Sequence, residues 1–173
     1  MNTQQGCITS IIDTRPQRFE RLLAYSHNNQ QLTQNFQYQP IVFDTIPLPS
    51  AFTFDGTSTF TVPAKGTYSL YYSAYFDNLS TTTTNQAELV VSINSTVYGD
   101  STTTVVLSPT VNTLGIASYG KASGSTTLKL NYGDTIKISF STTDYQNVLL
   151  TSPNTTGFLS SVPQAQLEII GVI

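Results

Sequence analysis

His27 and Cys7 are single copies of their kind in this 173-residue chain, and any nucleophilic or metal chemistry would have to be built around them. A Ser-His-Asp site needs its imidazole held by a rigid scaffold. His27 instead lies in the polar run SHNNQQLTQNFQYQ, residues 26–39, where a surface imidazole is the plain reading. One histidine and one cysteine cannot supply a zinc site. Cys7 has no partner for an internal disulfide, so the fold must stand on its own core. Paired carboxylates for glycoside hydrolysis would have to face each other across a cleft. Asp55, Asp77, Asp100, Asp134 and Asp144 all stand in turn-like contexts, where aspartate serves the backbone. No glycine-rich phosphate loop is present. Asn78, Asn94 and Asn154 open N-x-Ser/Thr triplets, which a chain so rich in Ser and Thr contains by chance. The expectation is a protein that is not an enzyme, with no catalytic residue, no metal ligand and no cofactor.

Ten tyrosines are the remaining chemistry-bearing side chains. An amphipathic ring can pack in a core or present a binding surface. For Tyr68, Tyr71 and Tyr72 the strand core or an assembly axis is the better reading. Tyr98, Tyr119 and Tyr145 stand near loops and suit a surface equally well.

The composition sets the frame for these groups. Charged residues make up 10 % of the chain, against roughly 25 % in an average soluble protein. Hydroxyl and amide side chains take their place. A net charge of −3 with seven basic residues argues against nucleic acid as a partner. No run approaches the length of a membrane span. Residues 1–20 lack the apolar core of a signal peptide, so synthesis in a cytoplasm is expected, with exit by lysis or by assembly into a particle.

The elements that must position these side chains fall into two parts. Residues 1–40 form one, an N-terminal arm. Thr14, Arg15, Pro16 and Gln17 match a capping box with proline in the first turn. Phe19, Leu22 and Leu23 fall at helical spacing, with Arg15, Arg18 and Arg21 on the other side, which predicts a short helix over 16–26. Residues 26–39 read as a connector. The arm is expected to dock on a partner through Arg15, Arg18, Phe19, Arg21, Leu22 and Leu23, and removal of residues 1–38 is expected to leave a folded head.

From Pro40 the apolar period becomes two. Residues 41–46 read as a strand stopped by Pro47 and Pro49. Asp55 and Gly56 form a turn before a strand over 59–62. Gly66 opens the longest strand, with Tyr68, Leu70, Tyr72, Ala74 and Phe76 on one face and Ser69, Tyr71, Ser73 and Tyr75 on the other. Further strands are predicted around Leu89, Val91 and Ile93, at 97–98, at 104–107, at 124–130, and around Ile136, Ile138 and Phe140. A weaker one is read at 114–118. Residues 143–163 read as one long loop. The chain closes on AQLEIIGVI, residues 165–173, apolar on both faces. A strand apolar on both faces wants two buried faces, one in its own core and one against a further surface, most simply another copy of the chain. Nine or ten short strands with regular turn signals make an all-β jelly-roll sandwich over 41–173.

Three stretches carry a family resemblance. Phe60, Val62 and Pro63 followed by Gly66 and Tyr68 and a long aromatic strand resemble the signature of the tumour-necrosis-factor and complement-1q superfamily. LKLNYGDTIKISF, residues 128–140, is similar to its Leu-x-Leu-x-x-Gly-Asp strand pair, and the apolar last strand completes the order. The resemblance implies a ten-stranded jelly roll assembled as a homotrimer. It implies an aromatic at the three-fold axis, matched here by Tyr71, with Tyr75, Leu167 and Ile169 as companions. It also implies calcium as a ligand in some members, with no residue here singled out for it. The chain has no collagen-like stalk, no secretion signal and no disulfide, so signalling roles are not carried over.

Together these readings predict a structural assembly protein. It would be a homotrimeric head on a viral or phage particle (minor capsid, decoration or fibre-head protein), held to a capsid shell or larger protein assembly by its arm, and located in the virion. The alternative is a receptor- or carbohydrate-binding module on a virion, spore or cell surface.

Overall fold

A computed structural model describes residues 18–110, 118–151 and 162–173. Every regular element within them is a strand. In order these are β1 (Phe19–Ser26), β2 (Gln30–Gln31), β3 (Gln39–Pro40), β4 (Thr53–Phe54), β5 (Phe60–Thr61), β6 (Gly66–Asn78), β7 (Asn85–Ile93), β8 (Thr96–Leu107), β9 (Ser118–Leu130), β10 (Thr135–Thr142), β11 (Val148–Leu150) and β12 (Ala165–Val172). Two antiparallel sheets face each other, as expected of a jelly-roll sandwich. The first runs β1-β12-β6, with β9 on the far side of β6, and β11 and β2 extend it past the end of β12. The second runs β4-β5-β10-β7-β8, with β3 also on β10.

Period-two alternation builds the core. From β6, Tyr68, Leu70, Tyr72, Ala74 and Phe76 all point inward, and Leu89, Val91, Ile136, Ile138 and Phe140 meet them from the second sheet. The Phe76 and Phe140 rings lie 5.9 Å apart, and Phe43 meets Phe60 edge-on at 5.6 Å, within the range of favourable ring pairs. Two large rings need glycine above them. A Cβ at Gly124 would stand 2.5 Å from the Tyr72 hydroxyl, and one at Gly171 would strike the Tyr68 ring. The bare backbone lets the Tyr72 phenol cross the core and donate to the Ser101 carbonyl in β8.

The turns follow the sequence signals. Asn94 and Ser95 both have positive φ and close the β7–β8 hairpin, and Gly133 takes φ 85° between β9 and β10. Asp55 Oδ1 accepts the N–H groups of Thr57, Ser58 and Thr59. Burial alone would raise its carboxyl, but these bonds outweigh it and hold the group well below the usual range.

Three expectations are overturned. The helix over 16–26 is strand β1 from Phe19 onward, while Arg15 and Pro16 lie outside the described residues. Phe19, Leu22 and Leu23 fit a helical stripe, yet Leu22 and Ala24 also alternate with Arg21, Leu23 and Tyr25. The unpaired edge of β12 takes the second pattern, in register from Phe19–Val172 to Ser26–Ala165. Tertiary pairing overrides local propensity. The division at residue 40 therefore fails too. Residues 19–31 belong to the first sheet, and Gln39 and Pro40 pair with β10. Finally, Leu167 and Ile169 are 0 % exposed and sit in the chain's own core, so they are not available to a neighbouring copy.

Residues 41–46 are extended but not a regular strand. Ile41 bonds to Ile138 in the second sheet, while Asp44 and Thr45 bond to Tyr25 in the first. The predicted 143–163 loop contains β11, and the weak strand at 114–118 lies outside the described residues except for Ser118.

Candidate functional site

The outward face of the first sheet is built by the residues that alternate with the core. Register places them in rows across β1, β12, β6 and β9: Phe19, Val172, Thr67 and Lys129; then Arg21, Ile170, Ser69 and Thr127; then Leu23, Glu168, Tyr71 and Ser125; then Tyr25, Gln166, Ser73 and Ser123. Tyr75 and Lys121 follow, with the ammonium 5.2 Å from the ring centre. Phe19 is 69 % and Tyr71 48 % exposed. Between Tyr71, Ser73, Lys121, Ser123 and Gln166 the face sinks into a bowl of about 240 Å³, floored by Gly124 and Tyr72.

Of the residues expected at an assembly surface, Tyr71 and Tyr75 share this face and Leu167 and Ile169 do not. The β12 residues beside Tyr71 are instead Gln166, Glu168, Ile170 and Val172. The helical reading had also hidden the contribution of Phe19, Leu23 and Tyr25. Their two-residue spacing was the signal that could have found them.

Of the residues expected in a docking arm, Arg15 is outside the described residues. Arg18 holds Glu20 at 2.8 Å, Arg21 holds Glu168 at 2.8 Å across the strand pair, and Leu22 is 1 % exposed in the core. Leu22 cannot dock on anything without unfolding β1.

His27 is tied more closely than its setting suggested. Its Nδ1 lies 2.9 Å from Asp44 Oδ1, and its backbone N–H donates to Asp44 Oδ2. Burial pushes the Asp44 carboxyl up, but the His27 and Thr45 bonds outweigh it and leave the group below its ordinary value. This contact fastens the 44–45 crossing to the end of β1, a structural use of the histidine. Among the described residues no three His, Cys, Asp or Glu side chains gather as metal ligands would.

Asp77 is a buried carboxylate of the first sheet that, unlike Glu20 with its Arg18 ion pair, faces no cation among the described residues. It is 7 % exposed, and its Oδ1 has no hydrogen-bond partner among the described residues. Burial pushes its carboxyl up, partly offset by the Asn78 backbone bond. The folded chain thus keeps this proton to higher pH than the unfolded chain does. Stability is lost as pH rises through the ordinary carboxylate value, about 3.9, towards the raised one. Asp77→Asn removes that cost. Melting is expected to rise by roughly 2–4 °C at pH 7.5, what about 1 kcal/mol moves in a chain of this size, with the gain vanishing at about pH 2.5, below the ordinary carboxylate value. A lower melting temperature at both pH values would mean that the ionised carboxylate is itself held by a partner.

No family model matches the sequence, and no curated protein matches it. Solved structures do. Murine APRIL at pH 8.0 aligns with a TM-score of 0.58 at 13 % identity, covering 89 % of this chain and 99 % of the other. Its structures at pH 8.5 and pH 5.0 align with TM-scores of 0.56 and 0.55, at 12 % and 13 % identity and the same coverage. The chain has a tumour-necrosis-factor-like fold. At such identity the likeness fixes the path of the jelly roll and leaves the side chains on its surface to be read from this sequence alone. On the outward face of β1, β12, β6 and β9, Phe19, Tyr25, Tyr71 and Tyr75 stand on the side of the sheet away from the core.

Proposed function

We propose that this chain is a structural assembly protein, a homotrimeric TNF-like head carried on a viral or phage particle as a minor capsid, decoration or fibre-head component. The observation that carries the reading is the face just described. Phe19, Tyr71, Tyr75, Ile170 and Val172 project from the side of the sheet away from the core, around a shallow bowl, while Leu23 on the same side is already buried in the single chain. Interface centres are enriched in such aromatic and apolar groups. The resemblance to three-fold jelly rolls supports a second and third copy as the occupants.

The strand registers also support a two-ended molecule. Arg18 and Ile173 exchange backbone bonds at one end of the first sheet, near the turns at 94–95 and 131–134. Residues 78–84, 108–110 and 143–147 lie at the other end. Arg18, the first described residue, stands at the first of these ends, so attachment on its N-terminal side would leave the far loops facing outward. We therefore propose attachment through residues 1–17 in place of the 1–40 arm. Deleting them is expected to leave melting within about 2 °C and to abolish binding to particles that lack the protein, read by co-sedimentation. Full binding by the truncated chain would remove the attachment role.

A second reading, a receptor- or carbohydrate-binding module on a virion, spore or cell surface, is favoured by one observation, an aromatic ring held out from the second sheet by Phe36.

A further inference from the structure

Phe36 is an anomaly of backbone and exposure together. Its φ is +57°, the left-handed region, which a bulky residue occupies only under constraint. Its N–H donates to the Thr142 carbonyl at 3.0 Å, which fixes the conformation. The preceding residue, Asn35, is of a type that adopts this region more readily. Asn35 is used instead to accept the Tyr145 N–H through Oδ1 at 2.7 Å. The outcome is a phenyl ring 73 % exposed that packs in no core. Strain that presents a side chain to solvent contributes nothing to folding and points to a use.

Under the ring lies a cleft of about 60 Å³ lined by Gln86, Glu88, Ser141, Thr142 and Thr143. Its volume is that of about two bulk waters. Glu88 is held in place, because the Tyr38 hydroxyl donates to Oε2 at 3.0 Å. Burial and Glu88 raise the Tyr38 phenol, so it remains a donor. Glu88 Oε1 accepts no hydrogen bond from the described residues, and no cation stands within ion-pair distance among them. The Gln86 backbone N–H donates to Thr143 Oγ1 at 2.9 Å, which fixes the strand there, and the Gln86 side chain is exposed beside the cleft.

We propose that this cleft binds a neutral pyranose, stacked on the Phe36 ring, with two of its hydroxyls seated against Glu88 and Gln86. The chemistry selects that class. A pyranose has an apolar C–H face for an aromatic platform and an array of hydroxyls that donate to a carboxylate and accept from an amide. An acidic sugar or a phosphate would bring a second negative charge against Glu88 without a cation to balance it. The cleft is small enough for hydroxyls to replace ordered water, and its lining of Gln86, Glu88, Ser141, Thr142 and Thr143 suits hydroxyls better than an aliphatic side chain. It lies on the outward face of the second sheet, away from the face assigned to assembly. It is therefore independent of the trimer reading and would be open on every copy.

The test uses the full-length protein and soluble neutral oligosaccharides of glucose, galactose, mannose and N-acetylglucosamine, with sialylated counterparts, followed by saturation-transfer NMR and calorimetry. Binding of at least one neutral oligosaccharide is expected, on the order of 1 mM per site as befits a shallow site, with the sialylated counterpart at least tenfold weaker. Phe36→Gly is expected to raise the melting temperature, since glycine takes positive φ freely, while weakening the sugar more than tenfold. Glu88→Gln is expected to weaken it similarly with melting unchanged. Three results would overturn the site: no neutral sugar bound at about ten times that concentration, undiminished binding by Phe36→Gly, or a fall in its melting temperature, which would make the ring a packing group. Binding of peptides in place of sugars would overturn the ligand class.

Discussion

Replacing Tyr71 with glutamate is expected to turn the proposed homotrimer of the 18.9 kDa chain into a folded monomer. Tyr71 stands in the middle of the outward face, between Glu168 of β12 and Ser125 of β9. In a trimer packed on this face, each copy would bury a new carboxylate beside an existing one. An uncompensated buried charge costs about 3–5 kcal/mol, or roughly 10²–10⁴-fold in association per contact. The same change in the free chain costs little, because Tyr71 makes no core contact. Val106→Glu is the control. Val106 is 61 % exposed on the second sheet, and its charge should leave the trimer intact. Light scattering across a dilution series gives the mass, and circular dichroism checks the fold. A wild-type monomer would end the trimer proposal. A Tyr71→Glu trimer would move the interface to another face.

The second large effect separates the two meanings of the N-terminus. Cutting the chain after residue 17 leaves β1 whole, whereas cutting after residue 26 removes it. The longer deletion takes Leu22 and Ala24 out of the core and strips the edge of β12 of its partner from Ala165 to Val172. Loss of a buried leucine side chain alone costs about 2–5 kcal/mol, against a total stability of about 5–15 kcal/mol. The eight paired positions of β1 go as well. The chain lacking residues 1–26 is expected to be insoluble, or to show no cooperative melting. A soluble, cooperatively melting product would show that β1 is dispensable and that an arm ending near residue 40 was the correct division.

The helix misreading has a definite cause. Residues 19–26 carry apolar side chains at positions 19, 22, 23 and 24, a set that satisfies a helical stripe and a strand about equally. What decides between them is a partner 147 positions away, the edge that Glu168 and its neighbours present to Arg21 and Leu23. The error over Leu167 and Ile169 has a related cause. The last strand is apolar on both faces, so composition could not say which face is the core. Pairing with β6 decides it, because Ile169 lies opposite inward-facing Leu70 and Glu168 opposite outward-facing Tyr71. Phe36 was invisible for another reason. Nothing in QNFQYQ marks the phenylalanine, rather than the asparagine before it, as the residue with positive φ. Only the bonds from Phe36 to Thr142 and from Tyr145 to Asn35 settle that.

That the chain is an all-β sandwich was legible in its residues, because alternation along 66–78, 87–93 and 136–140 and the turn residues at Gly56, Asn94 and Gly133 are local signals with local causes, while the TNF-like kind was only a resemblance until the fold was compared. The sequence by itself determined as well that Tyr71 and Tyr75 lie on the face opposite Tyr68 and Tyr72, since a pleat allows nothing else. Only the tertiary structure decided that the N-terminal residues close the first sheet, that Leu167 and Ile169 belong to the core, and that Phe36 stands over Glu88. Each depends on which distant backbone edge a segment meets, and hydrogen bonds between strands form by register across the whole chain and not by the preference of any one residue.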